Sequence, residues 1–135
     1  MSHENITLVR GLYEAFGRGD VPTVLAGFAD DIVWNEAEGM PYAGEYHGPQ
    51  AVAENVFAPI PSDFDDFDVT PEEILADGDR VVVLLSYKGT AKESGKKLSM
   101  PAAHVWTVRS GKVTSFRLLG DPAIMNAALA VEAAV

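Results

Sequence analysis

Three closely spaced strand patterns in the C-terminal half constrain the fold of this chain more than any other sequence feature. They are Arg80–Thr90, Leu98–Val108 and Val113–Leu119. The first contains the apolar run Val81–Leu85, whose length and composition predict a strand buried on both faces. Short turn sequences, Ser94–Lys96 and Ser110–Lys112, separate the three patterns, and such turns join neighbouring antiparallel strands. This half of the chain is therefore predicted to form a meander.

Helical patterns come first in the chain. In Ile6–Phe16 the apolar residues recur every three or four positions, which is typical of an amphipathic helix. Asp20 and Pro22 give the start signal of a second helix, predicted to carry Phe28 and to end near Asp30. The remaining predictions are a strand over Ile32–Glu38, a loop over Gly39–Pro49, a short helix over Pro49–Phe57 that Pro59 and Pro61 end, a strand with turns over Phe64–Asp79, and a helical tail over Pro122–Val135. This order favours an α+β fold with helices on one face of a mostly antiparallel sheet.

Composition limits the class of protein. A length of 135 residues fits one domain, 1–135, and a hydrophobic content of 47% allows a sizeable core. The formal net charge of −10 repels phosphate backbones and anionic membranes, so we expect neither nucleic acid nor a membrane as partner. The absence of cysteine excludes disulfides and thiolate chemistry. Because Met1–Asn5 lacks the features of a secretion signal, a cytoplasmic protein is expected.

Motifs for metal, phosphate or dinucleotide binding are absent from the sequence. The histidines His3, His47 and His104 lie far apart in the chain. We therefore expect no metal and no cofactor.

Two ionisable residues stand within apolar strand patterns. Alternation places Glu36 on one face with Ile32 and Trp34, and places His104 on one face with Trp106. An apolar environment raises the pKa of a carboxyl toward neutrality, and a neutral imidazole both donates and accepts protons. Glu36 is thus the candidate base and His104 the candidate donor to a substrate oxygen, unless Glu36 reaches solvent and His104 is a structural core residue.

Asp121 is the third catalytic candidate, and its position before Pro122 is equally typical of a helix cap. Mostly aromatic side chains at alternating positions form a candidate substrate-binding wall, or else ordinary core. These residues are Tyr13, Phe16, Trp34, Tyr42, Phe57, Met100, Trp106, Phe116 and Leu118.

Five segments, taken together and in order, resemble SnoaL-like and ketosteroid isomerase-related proteins of the nuclear-transport-factor-2-like superfamily. They are Leu12–Asp20, Phe28–Trp34, Tyr42–Gly48, Asp77–Val81 and His104–Lys112. The resemblance implies a conical barrel made of a curved, mixed, mostly antiparallel sheet wrapped around N-terminal helices, with an apolar pocket and frequent dimerisation.

The same resemblance assigns site positions. Glu36 falls where ketosteroid isomerase has its acidic base, and His104 falls where it has a second, protonated acid. The oxyanion tyrosine of that enzyme aligns with Leu12, beside Tyr13. A histidine in place of the acid argues against steroid isomerisation, and the Asp/Arg/Asp set of limonene epoxide hydrolases is not evident. SnoaL-type cyclases use an acidic pocket residue, which Asp121 or Glu36 would supply.

The resulting hypothesis is a cofactor-independent proton-transfer enzyme of the isomerase, cyclase or dehydratase type. Its substrate is expected to be a small hydrophobic molecule, and the chain is expected to form a homodimer through the outer face of the sheet. The alternative is a non-catalytic domain of the same fold that binds a small ligand or serves dimerisation.

Overall fold

The computed structural model describes residues 2–131. Its sheet contains seven strands, and the helices pack on one side of this sheet. In chain order the elements are α1 (Ser2–Gly17), α2 (Val21–Ala26), β1 (Phe28–Glu36), β2 (Gly44–His47), α3 (Pro49–Val52), a π-helical turn (Ala53–Phe57), α4 (Pro59–Asp63), β3 (Phe64–Asp68), β4 (Pro71–Asp77), β5 (Arg80–Ala91), β6 (Lys97–Arg109), β7 (Lys112–Gly120) and α5 (Pro122–Leu129).

The strand order is β2-β1-β7-β6-β5-β3, and β4 also pairs with β5. The β1–β7 pair is parallel and the other pairs are antiparallel, so the sheet is mixed. Because β5 is long, β3 pairs near its C-terminal end, with Phe64 opposite Ala91, while β4 pairs near its start, with Asp77 opposite Arg80. The predicted α+β class with a curved, mostly antiparallel sheet is confirmed, and the sheet stays open rather than closing into a full barrel.

The core lies between the helices and one face of the sheet. Val9, Tyr13, Val24 and Phe28 are buried there, and Phe16 packs against them while partly exposed. Ile6, which begins the predicted amphipathic pattern, is partly exposed and lies outside the core cluster.

The apolar run of β5 is buried on one face and not on both. Val81, Val83 and Leu85 are at most 2% exposed, whereas Leu84 is 39% exposed. The outer face of the sheet therefore carries apolar side chains that the described chain does not cover.

Several predicted boundaries were wrong. Phe28 begins β1 and, contrary to the prediction, does not belong to α2. It lies in the sheet because its backbone pairs with Val113 and its ring contacts Trp34. Strand β2 lies in the predicted loop Gly39–Pro49, where it gains hydrogen bonds along the edge of β1. The helical region continues past Phe57 because Pro59 starts α4 at a first-turn position, which needs no backbone N–H donor. The predicted tail helix ends at Leu129, and residues 132–135 lie outside the described part.

Candidate active site

Strand β1 carries the first candidate residue on its inner face. Ile32, Trp34 and Glu36 alternate with more exposed neighbours and are 0%, 4% and 7% exposed, respectively. The alternation places the Glu36 carboxyl among apolar side chains at the end of the strand.

Burial is the main influence on Glu36. It raises the pKa of the carboxyl from 4.5 to about 7, and a hydrogen bond from Trp34 partly opposes this rise. In that bond the indole N–H of Trp34 donates to Oε1 of Glu36 across 3.3 Å. With a pKa near neutrality, Glu36 exists in both protonation states at physiological pH, as a general base requires.

His104 lies in the middle of β6, between Val83 of β5 and Leu118 of β7. Its side chain is buried, and both ring nitrogens have tyrosine partners. Nδ1 lies 2.5 Å from the hydroxyl of Tyr13, and Nε2 lies 2.6 Å from the hydroxyl of Tyr87. Burial lowers the pKa of His104 from 6.5 to about 3, so the ring is neutral at physiological pH.

These contacts bear on the role predicted for His104. Because Tyr13 and Tyr87 occupy both nitrogens, His104 has no free ring atom with which to polarise a substrate oxygen. The groups that remain able to do so are the tyrosine hydroxyls. Burial raises the pKa of Tyr13 and of Tyr87 well above the ordinary value, so both keep their protons.

Trp106 completes this cluster. Its indole N–H donates to the hydroxyl oxygen of Tyr13 across 2.9 Å. We refer to Trp106, Tyr13, His104 and Tyr87 together as the tyrosine–histidine chain. It connects α1, β5 and β6 through side chains alone.

Sequence reasoning missed Tyr87. A signal was present, because Tyr87 follows Val81, Val83 and Leu85 in the alternation of β5 and therefore shares their buried face. Its hydrogen bond to His104 depends on the pairing register, which places Tyr87 opposite Met100, two inward positions of β6 away from His104.

Glu36 and the tyrosine–histidine chain line the same cavity. Its volume is about 60 Å³, measured over the positions that the centre of a water molecule can take. No lysine or arginine is among the described residues that line it. Eight of the predicted wall residues do line the cavity: Tyr13, Phe16, Trp34, Tyr42, Phe57, Trp106, Phe116 and Leu118. Met100 does not, although it is fully buried; the end of its side chain lies close to Gly120.

Aromatic contacts hold the wall together. The rings of Trp34 and Phe116 stack with a centroid separation of 3.6 Å, and Trp106 packs edge-on against both. The π-helical turn adds Phe57, whose ring meets Trp34 and Phe16. Buried rings in mutual contact leave little freedom to the deep end of the cavity.

The mouth of the cavity is formed by the lining residues that are partly exposed. These are Phe16, Tyr42, Phe57, Phe67 and Val69. The hydroxyl of Tyr42 donates to Asp63 across 2.6 Å, which ties the loop before β2 to the end of α4. An outer groove between α1 and the β3–β4 connection shares Phe16, Phe67 and Val69 with the mouth.

Other candidate residues lie elsewhere. Asp121 is exposed, accepts a hydrogen bond from the backbone N–H of Ala123 across 3.0 Å and caps α5. It does not line the cavity, so its predicted catalytic role is not supported. His3 and His47 are exposed, and the residues from 2 to 131 contain no group of three or more acidic or histidine side chains placed to hold a metal ion. Nor does any described helix have the length and apolarity needed to cross a bilayer.

The fold and cavity define a class of small α+β domains, and comparison with known families agrees. The sequence matches the SnoaL-like domain family over residues 9–116, about four fifths of the chain. This chain therefore belongs to the SnoaL-like domain family.

Solved structures support the same assignment. An NTF2-like protein from Burkholderia thailandensis E264 is 28% identical, with a TM-score of 0.90 over 96% of this chain and 98% of that one. An NTF2-like protein of unknown function from Burkholderia pseudomallei K96243 is 34% identical, with a TM-score of 0.88 over 97% and 100%. TerC, co-crystallised with polyporic acid, is 27% identical, with a TM-score of 0.85 over 93% and 98%. No curated protein sequence matches this chain significantly.

Proposed function

We propose that this protein is a cofactor-independent enzyme that moves a proton on a small, uncharged, largely apolar carbonyl compound. The observation that carries the proposal is that Glu36, a carboxyl with a pKa of about 7, lines the same cavity as the tyrosine–histidine chain. A base and a hydrogen-bond donor in one largely apolar cavity are the two groups that proton abstraction next to a carbonyl requires.

In the proposed step, the Glu36 carboxylate takes a proton from the carbon next to the carbonyl. The C–H electron pair moves to form a carbon–carbon double bond, and the carbonyl π electrons move to the oxygen, which becomes an enolate. A hydroxyl of the tyrosine–histidine chain donates a hydrogen bond to that oxygen. Where a further carbon–carbon double bond is conjugated with the enolate, return of the proton from Glu36 to its far carbon gives isomerisation. Attack of the enolate carbon on a second carbonyl gives cyclisation, and the proton held by Glu36 then neutralises the new alkoxide.

The cavity walls favour an uncharged substrate. Without lysine or arginine among the described lining residues, a carboxylate or phosphate would be buried without a counter-ion, which is costly. The chain as a whole carries a formal charge of −10 and would repel such anions. That TerC was crystallised with polyporic acid supports a small organic ligand for a protein of this fold.

Hydrogen exchange tests the proposal before the natural substrate is known. Isomerisation and cyclisation share the abstraction step, so the protein in D₂O should exchange the α-protons of suitable members of a panel of small cyclic and aryl ketones, as followed by proton NMR. Glu36→Gln keeps the shape of the side chain but removes the base, and should lower the exchange rate by about 10²- to 10⁴-fold. Glu38→Gln, which alters an exposed carboxyl two residues along the chain, is the matched control and should exchange at the wild-type rate.

Equal exchange by wild-type protein and Glu36→Gln would refute the assignment of Glu36. If no ketone exchanges but ketones still raise the melting temperature, the non-catalytic ligand-binding alternative is favoured instead. The almost entirely apolar wall would suit that function as well.

A further inference from the structure

The protons of the tyrosine–histidine chain can be counted. Tyr13 and Tyr87 each carry one O–H, and a neutral His104 carries one N–H, so three protons serve the two hydrogen bonds that connect these residues. One hydroxyl proton is therefore always left over. It belongs to Tyr87 if His104 is protonated at Nε2, and to Tyr13 if His104 is protonated at Nδ1.

Trp106 favours one of these arrangements. Its indole nitrogen is a donor only, so the Tyr13 oxygen accepts this bond in either case. If Nδ1 of His104 also donated, the Tyr13 oxygen would have to accept two N–H groups. A phenol oxygen, conjugated with its ring, accepts a second hydrogen bond poorly. If Tyr13 instead donates to Nδ1, its oxygen accepts one bond and its proton gives another.

Partner counts agree with this direction. The Tyr13 hydroxyl has two hydrogen-bond partners among the described residues, Trp106 and His104. The Tyr87 hydroxyl has one, Nε2 of His104, although its side chain is buried and lines the cavity. Tyr87 is therefore the member with hydrogen-bonding capacity left for a ligand.

We propose that Tyr87 donates its O–H to the carbonyl oxygen of the substrate, at the end of a head-to-tail series of hydrogen bonds running from Trp106 through Tyr13 and His104. This proposal rests on the proposed function for its substrate class. In it Tyr87 is a catalytic residue, whereas Trp106, Tyr13 and His104 are positioning residues.

The direction of the series has a chemical consequence. Each donor after Trp106 is polarised by the hydrogen bond that it accepts from the donor behind it, so the bonds strengthen one another in a low-dielectric interior. As negative charge develops on the substrate oxygen, the Tyr87 proton shifts toward it and the bonds behind shorten in turn. The substrate needs one acceptor oxygen at this end of the cavity, which a ketone or aldehyde supplies.

The tautomer of His104 decides between the two directions of the hydrogen-bond series. Three histidines are present, and His3 and His47 are exposed, so His3→Gln with His47→Gln leaves His104 as the single imidazole to observe. In ¹⁵N NMR of this protein at pH 7 without ligand, we expect a protonated Nε2 and an unprotonated Nδ1. A protonated Nδ1 would make Tyr13 the donor and overturn the proposal, and a doubly protonated ring would overturn it as well.

Kinetics supply a second readout on any ketone that exchanges. Tyr87→Phe should lower kcat by about 10²- to 10³-fold, as expected for loss of one donor to an oxyanion. Tyr13→Phe keeps the Tyr87 proton and should cause a smaller loss of kcat. A larger loss for Tyr13→Phe than for Tyr87→Phe contradicts the proposal.

The two proposals fail separately. The NMR measurement needs no turnover. Absence of exchange in the wild-type protein therefore refutes the proposed enzymatic activity, while the spectrum still decides the direction of the hydrogen bonds that end at Tyr87. Conversely, exchange that depends on Glu36 but is accompanied by a protonated Nδ1 supports the enzyme and refutes the role of Tyr87.

Discussion

Replacement of Glu36 by glutamine should change how the stability of the protein depends on pH. Glutamine has the same shape and stays neutral, whereas the buried glutamate must be ionised at high pH. Its pKa is 4.5 in the ordinary state and about 7 in the folded protein. Between these values the folded state holds a proton that the unfolded state has released, so stability falls as pH rises through this window.

The size of the effect follows from the two pKa values. Each pKa unit corresponds to about 1.4 kcal/mol, so the interval from 4.5 to about 7 amounts to about 3 kcal/mol. The wild-type protein should therefore lose about 3 kcal/mol relative to Glu36→Gln as the pH rises from 4.5 through 7, and the difference should level off about one pH unit above the folded-state pKa.

The pKa shift of His104 changes the stability with pH in the opposite direction, so the experiment must cancel its contribution. Burial lowers its pKa from 6.5 to about 3, so the unfolded state binds the proton first and stability rises with pH across that interval. Between pH 4.5 and 6.5 the two contributions oppose each other in the wild-type protein. Because His104 is unchanged in Glu36→Gln, the difference between the two proteins isolates the contribution of Glu36.

Urea unfolding at half-unit steps from pH 4.5 to 8 measures this difference. Glu38→Gln should follow the wild-type free energy of unfolding within about 0.5 kcal/mol throughout, as surface substitutions generally do. If wild type and Glu36→Gln show parallel profiles, Glu36 is not a buried, titrating carboxyl and the argument for a base fails with it.

Two further predictions concern other parts of the molecule. The outer face of the sheet exposes Leu84 and Leu119, which flank Ala103 in one cross-strand row, so a homodimer through this face is expected. Light scattering should show a dimer for the wild-type protein and a monomer for Leu84→Lys. A wild-type monomer at micromolar concentration would contradict this prediction. Asp121→Ala should remove the cap of α5 and cost about 1 kcal/mol of stability in thermal unfolding, while the rate of ketone exchange stays unchanged. Loss of exchange in a variant of full stability would restore Asp121 as a candidate base.

The meander was predictable from the sequence because its signals are local. The boundaries of β5, β6 and β7 fall within about one residue of the predicted strands. The turns between them contain Gly95 and Gly111, both with a φ of +74°, a conformation that glycine adopts without strain. Apolar alternation and turn chemistry agree there, so no tertiary information was needed.

What the sequence could not supply depends on pairing between distant segments. Phe28 is a strand residue because it pairs with Val113, and no local pattern reveals that partner. In the same way, the alternation of β5 predicts that Tyr87 is buried, but its contact with His104 arises from the register of β5 against β6. The identity of Glu36 and His104 as candidates was accessible, whereas the occupation of both His104 nitrogens was not.

The cavity combines a fixed end with an adaptable one. A volume of about 60 Å³ is smaller than the roughly 150 Å³ cavity that accommodates benzene in a protein core, so a ring-sized substrate must displace part of the wall. The residues at the deep end are buried, and hydrogen bonds join Tyr13 of α1 to His104 of β6 and His104 to Tyr87 of β5. The partly exposed side chains of Phe16 and Phe67 lie at the mouth. Their shift into the neighbouring groove would break no hydrogen bond of the tyrosine–histidine chain. Entry of a substrate is therefore accommodated where the structure is least constrained, and the groups that act on the proton keep their geometry.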